Sequence, residues 1–224
     1  MTPRLSYRLP RRSSQLLAGL ILYGWSMAML VRSGLGVDPW DVFHQGLANH
    51  LPLSFGQVTI LVGALVLLAW IPLRQRPGVG TVANVFVIGL AADAGLAVIP
   101  VADGWLAGAA LLSAGVVLNG LAGALYVGAR LGPGPRDGLW VALTQRTGHS
   151  IRLVRTVLEL TVVAIGWLLG GVVGVGTVVY ALAIGPLVQW FMPWVEVPYS
   201  AAPVGGGGPE DEFGLEEGVR VVGE

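Results

Sequence analysis

Cysteine and lysine are both missing from this chain of 224 residues, and its thirteen basic side chains are all arginine. Without cysteine there is no disulfide bond, no thiolate nucleophile and no thiolate metal site. Charge is scarce as well, because Asp, Glu, Lys and Arg make up only 12% of the residues, whereas soluble domains have about 25%. The chain therefore has too little charge to cover the water-facing surface of a compact soluble domain.

The sequence consists largely of long apolar stretches. Hydrophobic residues make up 54% of the sequence, and the mean hydropathy is +0.72. A helix of roughly 20 residues, rising about 1.5 Å per residue, crosses a bilayer core of about 30 Å. The sequence predicts an all-α polytopic transmembrane bundle with about six spans, near residues 14–33, 55–73, 80–100, 106–129, 152–171 and 176–195.

The arginine positions predict the orientation of these spans. The pair Arg11-Arg12 resembles the start of a secretory leader, but no Ala-x-Ala cleavage site follows, so we interpret residues 14–33 as the first span. With the N-terminus inside, eleven arginines before the C-terminal tail lie on the cytoplasmic side, and only Arg32 lies outside. The positive-inside rule then favours a cytoplasmic basic segment at 1–13 and a disordered acidic cytoplasmic tail at 196–224.

The sequence also repeats itself at an offset of 96 residues, and 16 of the 59 positions in 34–92 are identical. Chance explains scattered Leu and Val matches at about 10% identity, but not proline, aspartate and a Gly-x-Gly-Thr run at one offset. The matches include Leu35-Gly36, Pro39, Asp41 and Gly78 to Val82 with Leu131-Gly132, Pro135, Asp137 and Gly174 to Val178. We therefore predict two membrane repeats, 14–100 and 106–195. Three spans in each copy would make the repeat inverted, as in many secondary transporters.

The first repeated motif has the chemistry of a helix start. Asp38 suits the N-cap position, Pro39 suits the first helical position, and Asp41 can return a hydrogen bond to the cap. Upstream, Gly36 and Gly132 would end the preceding spans, since glycine tolerates left-handed backbone. The second copy has Gly134, Pro135 and Asp137 at the matching places.

The helices that follow, 39–50 and 135–147, are too short to span a bilayer. Asp41 and His44 fall off the apolar face of the first one. The pattern is compatible with a capped surface helix at the membrane edge and equally with a re-entrant gate, one for each membrane face. The sequence does not decide between an interfacial and a re-entrant position.

The second repeated motif, Gly78-Val79-Gly80-Thr81 and its copy ending at Thr177, opens the third span of each repeat. Glycines at a helix start expose backbone N–H groups that can hold an anion or a substrate carboxylate. A helix start with close packing explains the same residues, with Thr81 and Thr177 as caps. Both interpretations stay open at this point.

Two acids fall inside predicted spans, Asp93 in the third and Glu159 in the fifth. Intramembrane acids are costly, so a coupling or substrate role is the default hypothesis. Arg155 is one helical turn before Glu159, which makes an internal ion pair the simpler alternative. Asp93 is near the outer end of its span, where it can reach water.

Signatures of catalysis are missing from the sequence. It contains no Gly-x-Ser-x-Gly, His-Glu-x-x-His or phosphate-binding loop motif. We expect no enzyme, no cofactor and no metal site. Nucleic-acid binding is not expected either, because the arginines are distributed by topology and form no basic stripe.

Four segments together resemble the YczE/YyaS/YitT group of bacterial membrane proteins. They begin at Leu35 (Leu-Gly-Val-Asp-Pro-Trp-Asp), Gln57 (Gln-Val-Thr-Ile), Arg76 (Arg-Pro-Gly-Val-Gly-Thr) and Gly132 (Gly-Pro-Gly-Pro-Arg-Asp-Gly). The likeness covers residues 13–194. It implies an integral protein of the bacterial plasma membrane whose activity is poorly understood, and it supplies no active-site residue.

The leading hypothesis is a transporter of a small solute or ion, with a site between the two repeats. The alternative is a membrane accessory protein that does not transport and that binds or regulates a protein partner. The lipid bilayer is the one partner that both require, and a homo-oligomer is compatible with either. The candidate substrate or gating residues are Asp38, Pro39, Asp41, His44, Thr81, Asp93, Pro135, Asp137, Glu159 and Thr177.

Overall fold

A computed structural model describes residues 9–197 of the chain, which form eight α-helices and no strand. The predicted N-terminal segment 1–13 is described only from Leu9. The predicted acidic tail lies outside the described residues, apart from Glu196 and Val197. The helices are α1 (Leu9–Ser33), α2 (Pro39–Ala48), α3 (Phe55–Leu73), α4 (Val79–Val98), α5 (Gly104–Gly128), α6 (Pro135–Thr147), α7 (Ile151–Leu168) and α8 (Val175–Val195).

Five of these helices, α1, α3, α4, α5 and α8, are long and apolar enough to cross a membrane. Helix α7 was expected to be a sixth span, but it carries three charged residues, Arg152, Arg155 and Glu159, within 18 residues. By length and composition the described chain therefore has five candidate spans rather than six. Helix α1 begins five residues earlier than expected, so Arg11 and Arg12 belong to its first turns.

The breaks after α1 and α5 depend on backbone conformations that favour glycine. Gly34 (φ 68°) and Arg130 (φ 53°) take the left-handed conformation at the ends of these helices, two residues before the glycines that were expected to do so. Gly36 and Gly132 also have positive φ, 112° and 130°. They additionally permit close approach, because a Cβ on Gly36 would lie 2.7 Å from the backbone nitrogen of Gly174.

The core of the bundle is α1, which packs against both α4 and α5. Small residues bring the backbones together: a Cβ on Gly24 would lie 2.5 Å from the carbonyl oxygen of Ile88 in α4, and one on Gly19 would lie 2.9 Å from the Cβ of Leu125 in α5. Asn119 of α5 donates to the hydroxyl of Ser26 at 2.8 Å.

The two halves of the chain are joined by crossed contacts. Helix α2 packs on α7, and α6 packs on α3. The backbone N–H of Gly80 donates to the carbonyl of Leu131 at 2.9 Å, and that of Gly176 donates to Leu35 at 2.8 Å. These contacts bring the starts of α2 and α6 to opposite walls of one central space.

Candidate functional site

A cavity of about 650 Å³ lies between the two halves, and all eight helices contribute to its wall. The starts of α2 and α6 face each other across it. Helices α3, α4, α5 and α8 supply most of its apolar surface, and the charged groups come from α2, α6 and α7 together with Arg130. The first-half wall includes Asp38, Pro39 and His44, and the second-half wall includes Pro135, Asp137 and Glu159.

The start of α2 forms the most buried polar part of the site. The Asp38 carboxylate caps the helix, and its Oδ1 accepts the backbone N–H of Asp41 at 2.9 Å. His44 Nδ1 lies 3.0 Å from Asp41 Oδ1 and 3.4 Å from the hydroxyl of Thr59. Asp38, Asp41 and His44 are at most 2% exposed. The cap and Pro39 are as the sequence predicted, whereas the observed carboxylate contact of Asp41 is with His44.

Arg136, from the start of α6, reaches this acidic pair from the other half of the molecule. Its guanidinium nitrogens lie 3.8 Å from Asp38 Oδ1 and 3.9 Å from Asp41 Oδ1. The same guanidinium sits over the Trp40 ring, 5.1 Å from its centroid. These charge–charge distances are longer than a direct hydrogen bond, so the guanidinium neutralises part of the negative charge without occupying every carboxylate oxygen.

Burial shifts the pKa values of three side chains at the start of α2, which is not one of the candidate spanning helices. Desolvation raises the pKa of Asp38 to about 6 and that of Asp41 to about 7, and the nearby Arg136 opposes both shifts. Desolvation lowers the pKa of His44 to about 3. His44 is therefore a neutral imidazole at physiological pH, and its Nδ1–H can donate to an ionised Asp41.

On the opposite wall, the Tyr126 hydroxyl donates to Asp137. Arg155 Nε donates to Glu159 at 2.8 Å, and the Arg155 guanidinium lies 4.7 Å from the centroid of the Trp140 ring. The ion pair expected between Arg155 and Glu159 is thus present, and it lines the cavity. Its side chains are 47% and 26% exposed, so this wall is much more open than the start of α2.

A model of a family described as a "Family of unknown function (DUF6198)" matches residues 10–193. The chain belongs to this family.

Relatives in two bacteria support the assignment. An "Uncharacterized protein" of Haemophilus influenzae is 40% identical over 179 residues, 80% of this chain and 82% of that protein. The "Uncharacterized membrane protein YczE" of Bacillus subtilis is 34% identical over 79% of this chain and 83% of its own length. The "Uncharacterized protein YyaS" of the same organism is 25% identical over 80% and 90%. The resemblance inferred from the four segments is confirmed.

No solved structure matches the chain. This DUF6198 member is a membrane protein, as its five long apolar helices and its relatedness to YczE indicate.

Four of the candidate residues are not part of the cavity wall of this DUF6198 protein. One is Asp41, which contacts His44 as described above, and the others are Asp93, Thr81 and Thr177. Asp93 Oδ1 accepts the backbone N–H of Gly56 at 2.7 Å, and its Oδ2 accepts the Ser54 hydroxyl. Thr81 donates to the carbonyl of Pro133 at 2.8 Å. Thr177 accepts the backbone N–H of Gly174 at 3.3 Å. These contacts fasten the starts of α3, α4 and α8.

The Gly-x-Gly starts of α4 and α8 are packed against backbone. The N–H groups of Gly80 and Gly176 already donate to carbonyls of the opposite half. The close-packing alternative accounts for these contacts. A substrate or gating role for Thr81 and Thr177 stays a prediction.

Helix α2 differs from a surface helix with a polar side in water. Its buried residues include Trp40, Asp41 and His44, and Asp38 and His44 line the cavity. The helix is too short to bury such groups by itself, so α3, α7 and Arg136 must surround them. Its polar side faces the protein interior.

Sequence reasoning missed Arg136 and the aromatic wall of the cavity. Arg136 was counted only as a cytoplasmic charge, although it sits inside the repeated motif beside Asp137. The tyrosines fall within long apolar helices, where no local pattern separates a cavity residue from a packing residue. The aromatic residues of the wall are Tyr23, Trp40, Tyr126, Trp140 and Tyr180.

Proposed function

We propose that this protein transports a small solute or ion through the central cavity, which lies between two inverted repeats. The observation that carries the proposal is the cavity itself: buried carboxylates of one half meet a guanidinium of the other half inside a membrane bundle. Ionisable groups in such places are costly, and in known membrane proteins they mark substrate and ion pathways. Sites between inverted repeats are the common arrangement in secondary transporters.

Helix boundaries support the duplication on which this architecture depends. Helices α2 and α6 start at 39 and 135, α3 and α7 at 55 and 151, and α4 and α8 at 79 and 175, always 96 apart. Two hydrogen bonds between the halves follow the same offset. The donors Gly80 and Gly176 are 96 residues apart, and so are their acceptors Leu131 and Leu35. In this architecture α7 is the fifth of six spans, and its Arg155 and Glu159 face the cavity.

The packing of the halves supports a cavity that opens on one side at a time. Helix α3 packs along α4, whereas α7 and α8 have no comparable contact. A Cβ on Gly185 of α8, a residue of the cavity wall, would meet no atom within 4 Å. Alternating access requires such a difference between related halves.

We further infer a bacterial plasma membrane, with both termini in the cytoplasm, from the arginine distribution and the bacterial relatives. The orientation can be tested with single cysteines at Leu53 and His149, which are 96 residues apart and exposed. They adjoin Ser54 and Ser150, whose side chains cap α3 and α7 and are best left intact. In intact cells, an impermeant maleimide should label Leu53→Cys, and it should label His149→Cys only after permeabilisation. Labelling of both from one side would contradict the inverted arrangement.

Transport can be tested before any substrate is known. Ile88 and Ile184, again 96 residues apart, both line the cavity. If the cavity opens alternately, Ile88→Cys and Ile184→Cys should each react with an impermeant maleimide in right-side-out and in inside-out vesicles. Ile184→Cys should react faster, because Ile184 is half-buried whereas Ile88 is 5% exposed.

Phe86→Cys and Leu182→Cys are the matched controls. These residues are 51% and 73% exposed on the outside of the bundle, where lipid suppresses thiol ionisation, and neither should react from either side. If the cavity cysteines react from one side only, or from neither, the transporter proposal fails and the accessory-protein alternative is favoured.

A further inference from the structure

The charge balance of the cavity narrows the class of solute. Arg155 is paired with Glu159, and Arg130 is paired with Glu196. Among the described residues of the wall and its immediate support, this leaves one guanidinium, that of Arg136, and three carboxyl groups. They are Asp38, Asp41 and Asp137. An excess of negative charge in a space of low dielectric constant favours a positively charged occupant.

The cavity wall contains a buried carboxylate oxygen that lacks a donor. Asp38 lines the cavity and is 2% exposed, and its Oδ2 is buried without a hydrogen-bond partner. Its other oxygen is engaged by the Asp41 backbone N–H and lies near Arg136. A buried acceptor without a donor is costly, so a ligand N–H at Asp38 Oδ2 would supply the missing bond.

The aromatic part of the wall suits an organic cation. Three tyrosine and two tryptophan rings line the cavity, and the faces of such rings attract cations. Two of the rings already carry one, since Arg136 lies over Trp40 and Arg155 over Trp140. The cavity volume of about 650 Å³ is within the range of about 300–1,000 Å³ that small organic ligands occupy.

A divalent metal ion fits the wall poorly. In residues 9–197 no group of three or more His, Asp and Glu side chains is arranged to hold a metal. Calcium and magnesium need six or more oxygen ligands, and the chain has no cysteine for softer metals.

We propose that the cavity binds a small organic ammonium ion. Its N–H group donates to Asp38 Oδ2, and its carbon skeleton lies against the aromatic rings. This rests on the proposed function and names the class of its substrate. Arg136, held 3.8 Å from Asp38, then acts as an internal competitor that covers the carboxylate when the ligand leaves.

Binding can be measured with purified protein in nanodiscs by thermal shift and tryptophan fluorescence. The probes are 2-phenylethylammonium and butylammonium, with 2-phenylethanol and 3-phenylpropanoate as the neutral and anionic analogues of the first. We expect the ammonium ions to bind at least about tenfold more tightly than either analogue, an interaction difference of about 1.4 kcal/mol. 2-Phenylethylammonium should also slow the maleimide labelling of Ile184→Cys.

Asp38→Asn tests the carboxylate itself, because asparagine preserves the helix cap and removes the charge. It should weaken ammonium binding by at least about tenfold. Asp103→Asn is the matched control, since Asp103 is exposed at the start of α5 and its side chain makes no cap hydrogen bond. Its binding should equal that of the unmodified chain.

The proposal is overturned if the alcohol or the carboxylate binds as tightly as 2-phenylethylammonium, or if neither ammonium ion binds. It is also overturned if Asp38→Asn binds ammonium as the unmodified chain does. If the melting temperature changes with pH but not with added ammonium ion, the carboxylates of the cavity bind protons and not an organic cation. If the cavity cysteines still react from both membrane sides in any of these cases, the substrate class is wrong and the transporter proposal stands.

Discussion

Helix pairs α3–α4 and α7–α8 occupy matching places in the two halves of the chain, yet they pack differently. A Cβ on Gly56 of α3 would lie 2.0 Å from the carbonyl oxygen of Gly89 in α4, so the two backbones touch there. Ninety-six residues further on, Arg152 and Gly185 stand at these positions, and a Cβ on Gly185 would meet nothing within 4 Å. One pair is closed by glycines, and the other is open beside the cavity.

The two halves share the hydrogen bonds at their helix starts and differ in the contacts between neighbouring helices. The hydrogen bonds that hold the starts of α4 and α8 are the same in both halves. The contacts between neighbouring spans are not the same, because a side chain replaces a glycine at the closest point. The helix starts are thus held in the same way in both halves, whereas the helices beside the cavity are closely packed in the first half and not in the second.

The largest effect is expected where α3 crosses α6. Trp70 is 2% exposed and donates to the carbonyl of Pro135, and a Cβ on Gly138 would lie 2.0 Å from its ring. Trp70→Ala should cost about 3–5 kcal/mol of unfolding free energy, and Gly138→Val about 1–3 kcal/mol through overpacking. The double variant should cost less than the sum by at least about 1 kcal/mol, as measured by unfolding in mild detergent.

The crossing of α7 with α2 provides the control for this double-mutant comparison. There the small residue is Gly166, and a Cβ on it would lie 2.5 Å from the backbone nitrogen of Phe43. The atom that a side chain at residue 166 would meet belongs to the backbone, which Trp70→Ala does not remove. The losses of unfolding free energy for Gly166→Val and Trp70→Ala should therefore be additive. Additivity of Trp70→Ala with Gly138→Val would contradict the interpretation of the α3–α6 crossing as a matched large and small pair.

A smaller and unequal pair of effects is expected for Gly89 and Gly185. A Cβ on Gly89 would lie 2.5 Å from the carbonyl oxygen of Gly56, so Gly89→Ala should lower stability by about 1–3 kcal/mol. Gly185→Ala meets no atom of another helix, and the gain in helix propensity is offset by the ring of the following Pro186, so its loss should stay below about 1 kcal/mol. Melting temperatures of the two variants in the same detergent provide the comparison, and equal losses would show that α8 is closed as well.

The helix boundaries could be predicted because their causes are local. Asp38 and Pro39 fix the start of α2 within four residues of sequence, and Ser54 with Gln57 does the same for α3 through a capping box. The apolar length of the spans is equally a local property. Helix α7 is where the sequence prediction and the structure differ. It was predicted to span the membrane but is not among the five candidate spans, and two of its charged residues, Arg155 and Glu159, face a cavity that only the folded bundle creates.

The cavity wall could not be predicted, because its contacts join distant residues. Arg136 lies 3.8 Å from Asp38, although 98 positions of sequence separate the two residues. Nothing at either position indicates the other. The offset of 96 residues gives no hint of the contact either, since it aligns Arg136 with Trp40. Glu159 could be singled out because an acid within an apolar helix is unusual in itself.

The smallest effects concern the two acids within apolar helices, and the larger of the two is that of Asp93. This residue was singled out by the same argument as Glu159 and yet lies away from the cavity. Its carboxylate accepts from Ser54 and Gly56 and so fastens α3 to α4, and its counterpart at the open pair is Gln189. Asp93→Asn keeps one acceptor and loses the charge, so it should cost about 1 kcal/mol of stability. Thermal unfolding measures this loss.

Glu159→Gln is the informative comparison for Asp93→Asn. Glu159 is partly exposed, so its loss should change stability by less than about 0.5 kcal/mol, while releasing Arg155 as an unbalanced positive charge in the cavity wall. We expect Glu159→Gln to weaken 2-phenylethylammonium binding and Asp93→Asn to leave it unchanged. If Asp93→Asn instead weakens binding without lowering the melting temperature, Asp93 belongs to the transport pathway, and the closed α3–α4 pair is itself a moving part.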